Sequence, residues 1–373
     1  MSFHHDGLIG PHYNAPGSDY MVYYDAARSY LAGDPDLLSD GANFTARLNH
    51  DFANWLTGPL PPHPWVYPPP FLLLLLPFAF LPFAASYAAF VAATFAAAVA
   101  GVWCAVRQAG ERSVWVAALL LAPATAIDVI DGQNGLLTAG ILLGGFGLLQ
   151  RSPVAAGMVL GAIAYKPQLA LMVPVALLGL RAWRALAAAG LTAAAWAAAS
   201  VAILGSGIWR GWLHWMLGGG AGYAEWVEWG RLWGLSLYTC AVLHGASPAV
   251  AELLQAAGAV AAAGAVYHAY RHPFGFAQRL AILLAATVLA APHLSPYDLI
   301  LLACAAVLLW RCETQVASSA ILRMLLFFLW VAPVFGRFGR LNTSDMVPLL
   351  AASTVVAVLG LGHADRRVRA TAA

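Results

Sequence analysis

Four groups of ionisable or amide side chains stand where the rest of this apolar chain would exclude them. Asp128 and Asp131, with Gln133 and Asn134, frame the turn of IDVIDGQNG. Lys166, the single lysine, is followed by Pro167 midway along an uncharged stretch at 153–180. His293 lies between two prolines in APHLSPYD, with Asp298 five residues on. Asp19 and Asp25 belong to SDYMVYYDAARSYLAGD near the N-terminus. Ionisable groups are costly in a bilayer and are functional candidates there by default. A carboxylate could take up a proton, Lys166 and His293 could balance a growing negative charge, and Gln133 or Asn134 could donate hydrogen bonds. Each also has a structural reading. Asp298 could pair with a neighbouring Arg or cap a helix, and Asp128 could be a solvated span end. Lys166 could snorkel to the interface, His293 could be a satisfied buried histidine, and Asp19 could simply favour a helix N-terminus.

The elements that must hold these residues are set by composition. The chain has 373 residues, 61% hydrophobic and 10% charged, with mean hydropathy +0.72; soluble domains carry about 25% charged residues. Several uncharged stretches approach or exceed the ~20 residues that cross a bilayer. A soluble enzyme, a disordered chain, a collagen and a nucleic-acid binder are excluded, and a net charge of +2 gives no reason for polyanion binding. Cys104, Cys240, Cys304 and Cys312 lack metal-type spacing and read as apolar fillers. The expected fold is an all-α polytopic integral membrane protein.

Residues 1–69 differ in kind, with seven Asp against two Arg, a formal charge of −5. No basic n-region followed by an apolar h-region opens them, and no signal peptide is expected there. A helix is expected from a Ser18 cap to Gly33, with Tyr20, Tyr23, Tyr24, Ala27 and Leu31 on its apolar side. Asp19 and Asp25 are roughly 240° apart around it and cannot face one substrate. PLPPHPWVYPPP is too proline-dense for helix or strand and should be extended. Residues 70–362 form the membrane domain. A broken leading segment runs to Pro82, and spans follow at 84–106, 113–130, 134–150, 185–204, 248–270, 277–292, 296–310, 320–336 and 345–362, about nine in all. Residues 153–180 lie between Arg151 and Arg181, too short for two crossings at 1.5 Å per residue. They are expected to be a re-entrant hairpin broken at Lys166. The six tryptophans between 207 and 233 mark an interfacial loop. This layout puts eleven Arg inside and six outside, leaves 363–373 as a cytoplasmic tail, and brings the four polar groups to the outer side.

The order of these pieces resembles glycosyltransferase family 87, integral-membrane mannosyltransferase-like proteins of the GT-C class. The stretches that carry it are SDYMVYYDAARSYLAGD, VYPPPFLLLLLPFAFLP, DGQNGLL, AGMVLGAIAYKPQLALMVPVALL and PHLSPYDLILL, in register from about 17 to 310. The resemblance implies a GT-C-like bundle that moves a hexose, by expectation mannose, from a polyprenyl-phosphate carrier to a glycolipid, polysaccharide or protein acceptor. The reaction face would be the extracytoplasmic side of a bacterial-type plasma membrane. It maps the general base onto Asp19. Lys166 and His293 are then the expected donor-phosphate ligands, and Gln133, Asn134, Tyr24 and Asp131 the expected further substrate contacts. The family's first transmembrane helix should precede the Asp19 loop; we expect it upstream of Met1, the alternative being that the acidic segment crosses the membrane unaided.

Transfer with inversion needs a carboxylate to accept the acceptor's hydroxyl proton and fixed cations for the leaving phosphate. No nucleotide-sugar fold, P-loop or acidic metal cluster is visible in the sequence, which fits a donor drawn from the bilayer. No cofactor, divalent metal or nucleic acid is expected. A secondary transporter or lipid flippase would also show broken helices and buried charges, although no internal repeat is apparent. A catalytically silent membrane scaffold is the third reading.

Overall fold

The computed structural model describes residues 2–4, 7–9, 15–56, 58–106, 109–310, 320–338 and 343–371. Apart from a short antiparallel hairpin pairing Ser2–His4 with Gly7–Ile9, the described chain is helical. α1 (Ser18–Leu31) and α2 (Gly41–Asp51) precede α3 (Pro69–Leu75) and the long α4 (Phe83–Ala105). α5 (Ala109–Leu120), α6 (Pro123–Asp131) and α7 (Gly135–Leu148) follow. The segment around Lys166 comprises α8 (Pro153–Gly161), α9 (Pro167–Ala170) and α10 (Met172–Gly179). Beyond it come α11 (Trp183–Leu204), α12 (Ser206–Met216), α13 (Tyr223–Trp233) and α14 (Leu237–Leu243). α15 (Pro248–Arg271), α16 (Phe276–Ala290), α17 (Ile300–Trp310), α18 (Ala320–Phe338) and α19 (Thr343–Thr371) complete the order.

Among the described residues α4, α11 and α15 are long and apolar enough to cross a bilayer by themselves. The expected span 113–130 is not one helix: Glu111–Leu120 and Pro123–Asp131 are bent by 58° where Leu121 and Ala122 precede Pro123. Proline lacks the N–H that would continue the ladder and clashes with the preceding turn. The remaining apolar helices are shorter, and α16 and α17 are buried almost all round as the centre of the bundle. By contrast only 11% of the apolar window of α11 is buried, so that helix turns its apolar surface outward, as a lipid-facing helix does.

Two seams of small residues set the approach of these helices. A Cβ at Gly140 of α7 would lie 2.5 Å from the Ala97 carbonyl of α4, and one at Gly101 of α4 would lie 2.5 Å from the Gly140 carbonyl. Gly157 and Gly161 of α8 press in the same way on the Ala185 and Ala189 carbonyls of α11. Apolar side chains gain little by leaving lipid for a neighbouring helix, so close backbone approach through small residues is what holds such pairs.

The N-terminal helix differs from expectation in its cap. α1 begins at Ser18, and the cap position is Gly17 in the left-handed region at φ 75°. Gly17 N–H donates to the Ile130 carbonyl at 2.6 Å, which ties the start of α1 to the end of α6. Tyr20, Tyr23, Tyr24 and Ala27 are buried as expected, whereas Leu31 is exposed. The proline-rich stretch is extended only as far as Pro68; Pro69 and Pro70 open α3. The first helical position suits proline because its missing N–H would have had no partner there.

Candidate functional site

The site is built from the polar residues of five elements. Asp128, near the end of α6, aims both carboxylate oxygens at the start of α7, accepting from Gly135 N–H at 2.6 Å and Leu136 N–H at 3.0 Å. A carboxylate there satisfies otherwise orphaned donors and complements the helix dipole. The DGQNG turn is thus a helix-to-helix joint. Gly132 sits at φ 72°, and a Cβ on it would meet Tyr20 Cβ at 2.5 Å, so both backbone and space require glycine.

The joint presents Gln133 and Asn134 side by side. Gln133 Oε1 lies 2.5 Å from the Tyr23 hydroxyl and 3.2 Å from that of Tyr67. With the carbonyl end so occupied, the amide nitrogen must face the other way. It donates to Asp19 Oδ2 at 2.7 Å. Asn134 Nδ2 donates to the Tyr23 and Tyr67 hydroxyls, each at 3.0 Å, and its Oδ1 accepts from Lys166 Nζ at 3.0 Å. Lys166 Nζ then donates to Asp298 Oδ1 at 2.6 Å, and the other Asp298 oxygen accepts from Ser295 N–H. One hydrogen-bonded chain therefore runs from Asp19 to Asp298.

Asp19 has a second partner that the sequence reading missed. His63 Nε2 is 3.3 Å from Asp19 Oδ1, and His63 Nδ1 is 2.8 Å from the Pro61 carbonyl. A carbonyl only accepts, so Nδ1 carries a proton. Nε2 therefore meets the carboxylate productively only when it, or the carboxyl, also holds one. Burial lowers the His63 pKa, but the hydrogen bond and charge of Asp19, with smaller help from Pro61 and Asp131, outweigh it and bring the value above the ordinary 6.5. The proline-rich loop can place His63 because its few N–H groups are held by side chains: Leu60 by Asn49 Oδ1 and His63 by Thr45 Oγ1. The nearest available signal was a histidine inside an otherwise apolar proline run.

The other expected residues are placed as follows. Lys166 is buried and forms an ion pair with Asp298, with the Tyr297 ring 4.9 Å away. Two of its three donors are thereby committed. Asp131 is buried close enough to His63 for its charge to favour the imidazolium. His293 is exposed and its ring lies tilted against Trp226 of α13, 4.9 Å between centroids and 54° between planes, outside the hydrogen-bonded chain. Tyr24 faces away from Asp19, donating to the Leu81 carbonyl and accepting from Arg28. Asp25 pairs with Arg47 at 3.6 Å, so the two carboxylates of α1 do serve different surroundings.

Residues 65–296 match the family model described as Glycosyltransferase family 87, more than half of the chain. The chain belongs to that family. Neither a curated protein nor a solved structure matched it. As a family 87 member the protein is a membrane glycosyltransferase. The matched range takes in the DGQNG joint, Lys166 and His293, while Asp19 and His63 precede it. The middle of the hydrogen-bonded chain, Gln133, Asn134 and Lys166, thus lies in the matched part of the molecule, and its two end carboxylates, Asp19 and Asp298, fall outside it.

Proposed function

We propose that this glycosyltransferase moves a hexose, mannose being the expected one, from a polyprenyl-phosphate carrier to an acceptor at the extracytoplasmic face, with inversion and with Asp19 as general base. The observation that carries the proposal is the setting of Asp19. Its carboxylate is partly open, with 18% of the side chain exposed, and is oriented from behind by Gln133 and His63. In the transfer the acceptor hydroxyl oxygen forms a bond to the anomeric carbon. The bond from that carbon to the phosphate oxygen breaks, and the electron pair leaves with the lipid phosphate. The hydroxyl proton passes to Asp19, and from there it can reach His63 Nε2. Lys166 keeps its place beside the leaving group as a charge already balanced by Asp298. A phosphate approaching it would use its remaining donor or displace Asp298. His293, exposed on Trp226, is the second donor-phosphate ligand.

The test is transfer of radiolabelled mannose from polyprenyl-phosphate-mannose in membranes holding the wild type or Asp19→Asn. A general base contributes about 10²–10⁴-fold, so the variant should accumulate normally and lose at least ~99% of its activity. Retention of half the wild-type rate would remove Asp19 from the role. Transport of the intact lipid without sugar transfer would favour a flippase instead.

A further inference from the structure

The opposite face of α1 bears a second feature that the transfer chemistry does not use. A half-open cavity of about 430 Å³ lies between α1, the end of α2 and the start of α4. Trp55 and Phe83 give it an aromatic wall, their rings edge to face at 5.2 Å. Asp25, Asp51, Asn54 and Arg28 supply its polar groups. Asp25 is the unusual member, with 3% exposure and an Oδ2 that accepts no hydrogen bond, the nearest cation being Arg47 Nε at 3.6 Å. Burial pushes its carboxyl up to about 6, even with Arg47 pulling the other way. A buried acceptor without a donor is expensive to keep, and here it lines a cavity of the size that holds small ligands.

We infer that this cavity binds a neutral saccharide, as the part of the acceptor remote from the hydroxyl that reacts. The chemistry selects that class. Two carboxylates are balanced by two guanidiniums, Arg28 in the lining and Arg47 paired with both Asp25 and Asp51, so the cavity favours a neutral ligand rich in hydroxyls over the phosphate of the donor lipid. An exposed indole offers a flat apolar wall, which suits the C–H face of a sugar ring. The Trp55 indole N–H donates to the Pro16 carbonyl at 2.9 Å, so the wall is fixed to the chain two residues before α1 and its catalytic carboxylate. Asp25 lies about 9 Å farther along the helix than Asp19, at 1.5 Å per residue, and on another face. One sugar ring cannot touch both, so the occupant extends beyond the reacting residue. That it is the acceptor rests on the proposed transfer; that a saccharide binds does not.

The experiment is ligand-observed saturation-transfer NMR on the full chain in nanodiscs, titrating mannobiose and maltotriose, with glucose 6-phosphate as the anionic control. Saturable binding of a neutral oligosaccharide is expected in the wild type and in Asp19→Asn alike. Asp25→Asn and the surface change Trp55→Ala should each weaken it about tenfold, the scale of a hydrogen bond to a charged group. Because Trp55 is 43% exposed, its variant tests the cavity even where Asp25→Asn disturbs the fold. Absence of saturable binding, binding unaffected by both substitutions, or preference for the phosphorylated sugar would each overturn the inference. Asp19→Asn that binds sugar but transfers none supports both readings; loss of transfer function as a whole with binding intact would spare this one.

Discussion

At the scale of single residues, the pairing of Asp19 with His63 makes the clearest demand on experiment. The pair can work as a base only after it has given up the proton shared between Nε2 and Oδ1. Since Asp19 raises the His63 pKa above 6.5, kcat/KM should climb with pH through a limb lying above that value. His63→Asn removes the titrating ring and keeps an amide that can donate to Asp19. Its limb should move to lower pH, with a lower plateau. A pH profile that does not move would leave His63 a mere spacer. The same shift has a consequence for stability. A folded-state pKa above the unfolded value means protonation favours the native form. The contribution is complete below about 6.5 and disappears as pH rises through the folded-state value. Melting followed across that window should show wild type losing stability relative to His63→Asn.

At the scale of elements, the site depends on how closely helices can approach. α7 carries Gln133 and Asn134 at its N-terminal joint, and its position is fixed by the seam on α4. Gly140→Ala puts a methyl carbon 2.5 Å from the Ala97 carbonyl oxygen, and neither backbone can yield without moving the helix. Overpacking of this kind costs about 1–3 kcal/mol, so the detergent-solubilised protein should melt earlier and transfer more slowly. Gly144→Ala is the internal comparison, because its added carbon would stand at an ordinary 3.5 Å from Gly101 Cα. It should be nearly silent in both measurements. Equal damage from the two substitutions would show that the seam is not what positions α7. In the sequence this seam was available as glycines three and four apart in GLLTAGILLGGFGLL, yet helix propensity and hydropathy do not say which neighbour such a stripe meets. The Lys166–Pro167 break was easier to see, since a proline and a charge interrupt a helix by local chemistry wherever it packs. The bend before Pro123 obeys the same rule, but a continuous apolar stretch concealed it.

At the scale of the whole molecule, Lys166 and Asp298 hold together parts of the chain 132 residues apart, through a buried ion pair at 2.6 Å. Removing one partner of such a pair strands a charge and costs about 3–5 kcal/mol, whereas replacing both by apolar residues is often tolerated. Lys166→Met and Asp298→Leu should therefore each accumulate poorly, and the double variant should recover most of the folded yield in size-exclusion profiles. If the double variant is folded and still transfers sugar at the wild-type rate, Lys166 serves the fold and not the phosphate. If it is folded and inactive, with donor KM raised in any residual activity, the lysine belongs to the reaction as well.

What the sequence by itself determined are properties that belong to residues one or a few at a time. Apolar content and scarcity of charge dictated a helical membrane protein, because every backbone group in lipid must be paired within its own segment. The period of α1 separated Asp19 from Asp25, and the cost of intramembrane charge marked Lys166 and the DGQNG turn for attention. The tertiary structure alone decided the partners: His63 beside Asp19, the turn of Gln133 toward that carboxylate, the neutralisation of Lys166, the seat of Asp128 on α7, and the burial of Asp25 against an open cavity. Those pairings join distant positions through helices brought to backbone contact. The distance between two such helices is fixed by the fit of many small side chains at once, a quantity that no local stretch of sequence contains.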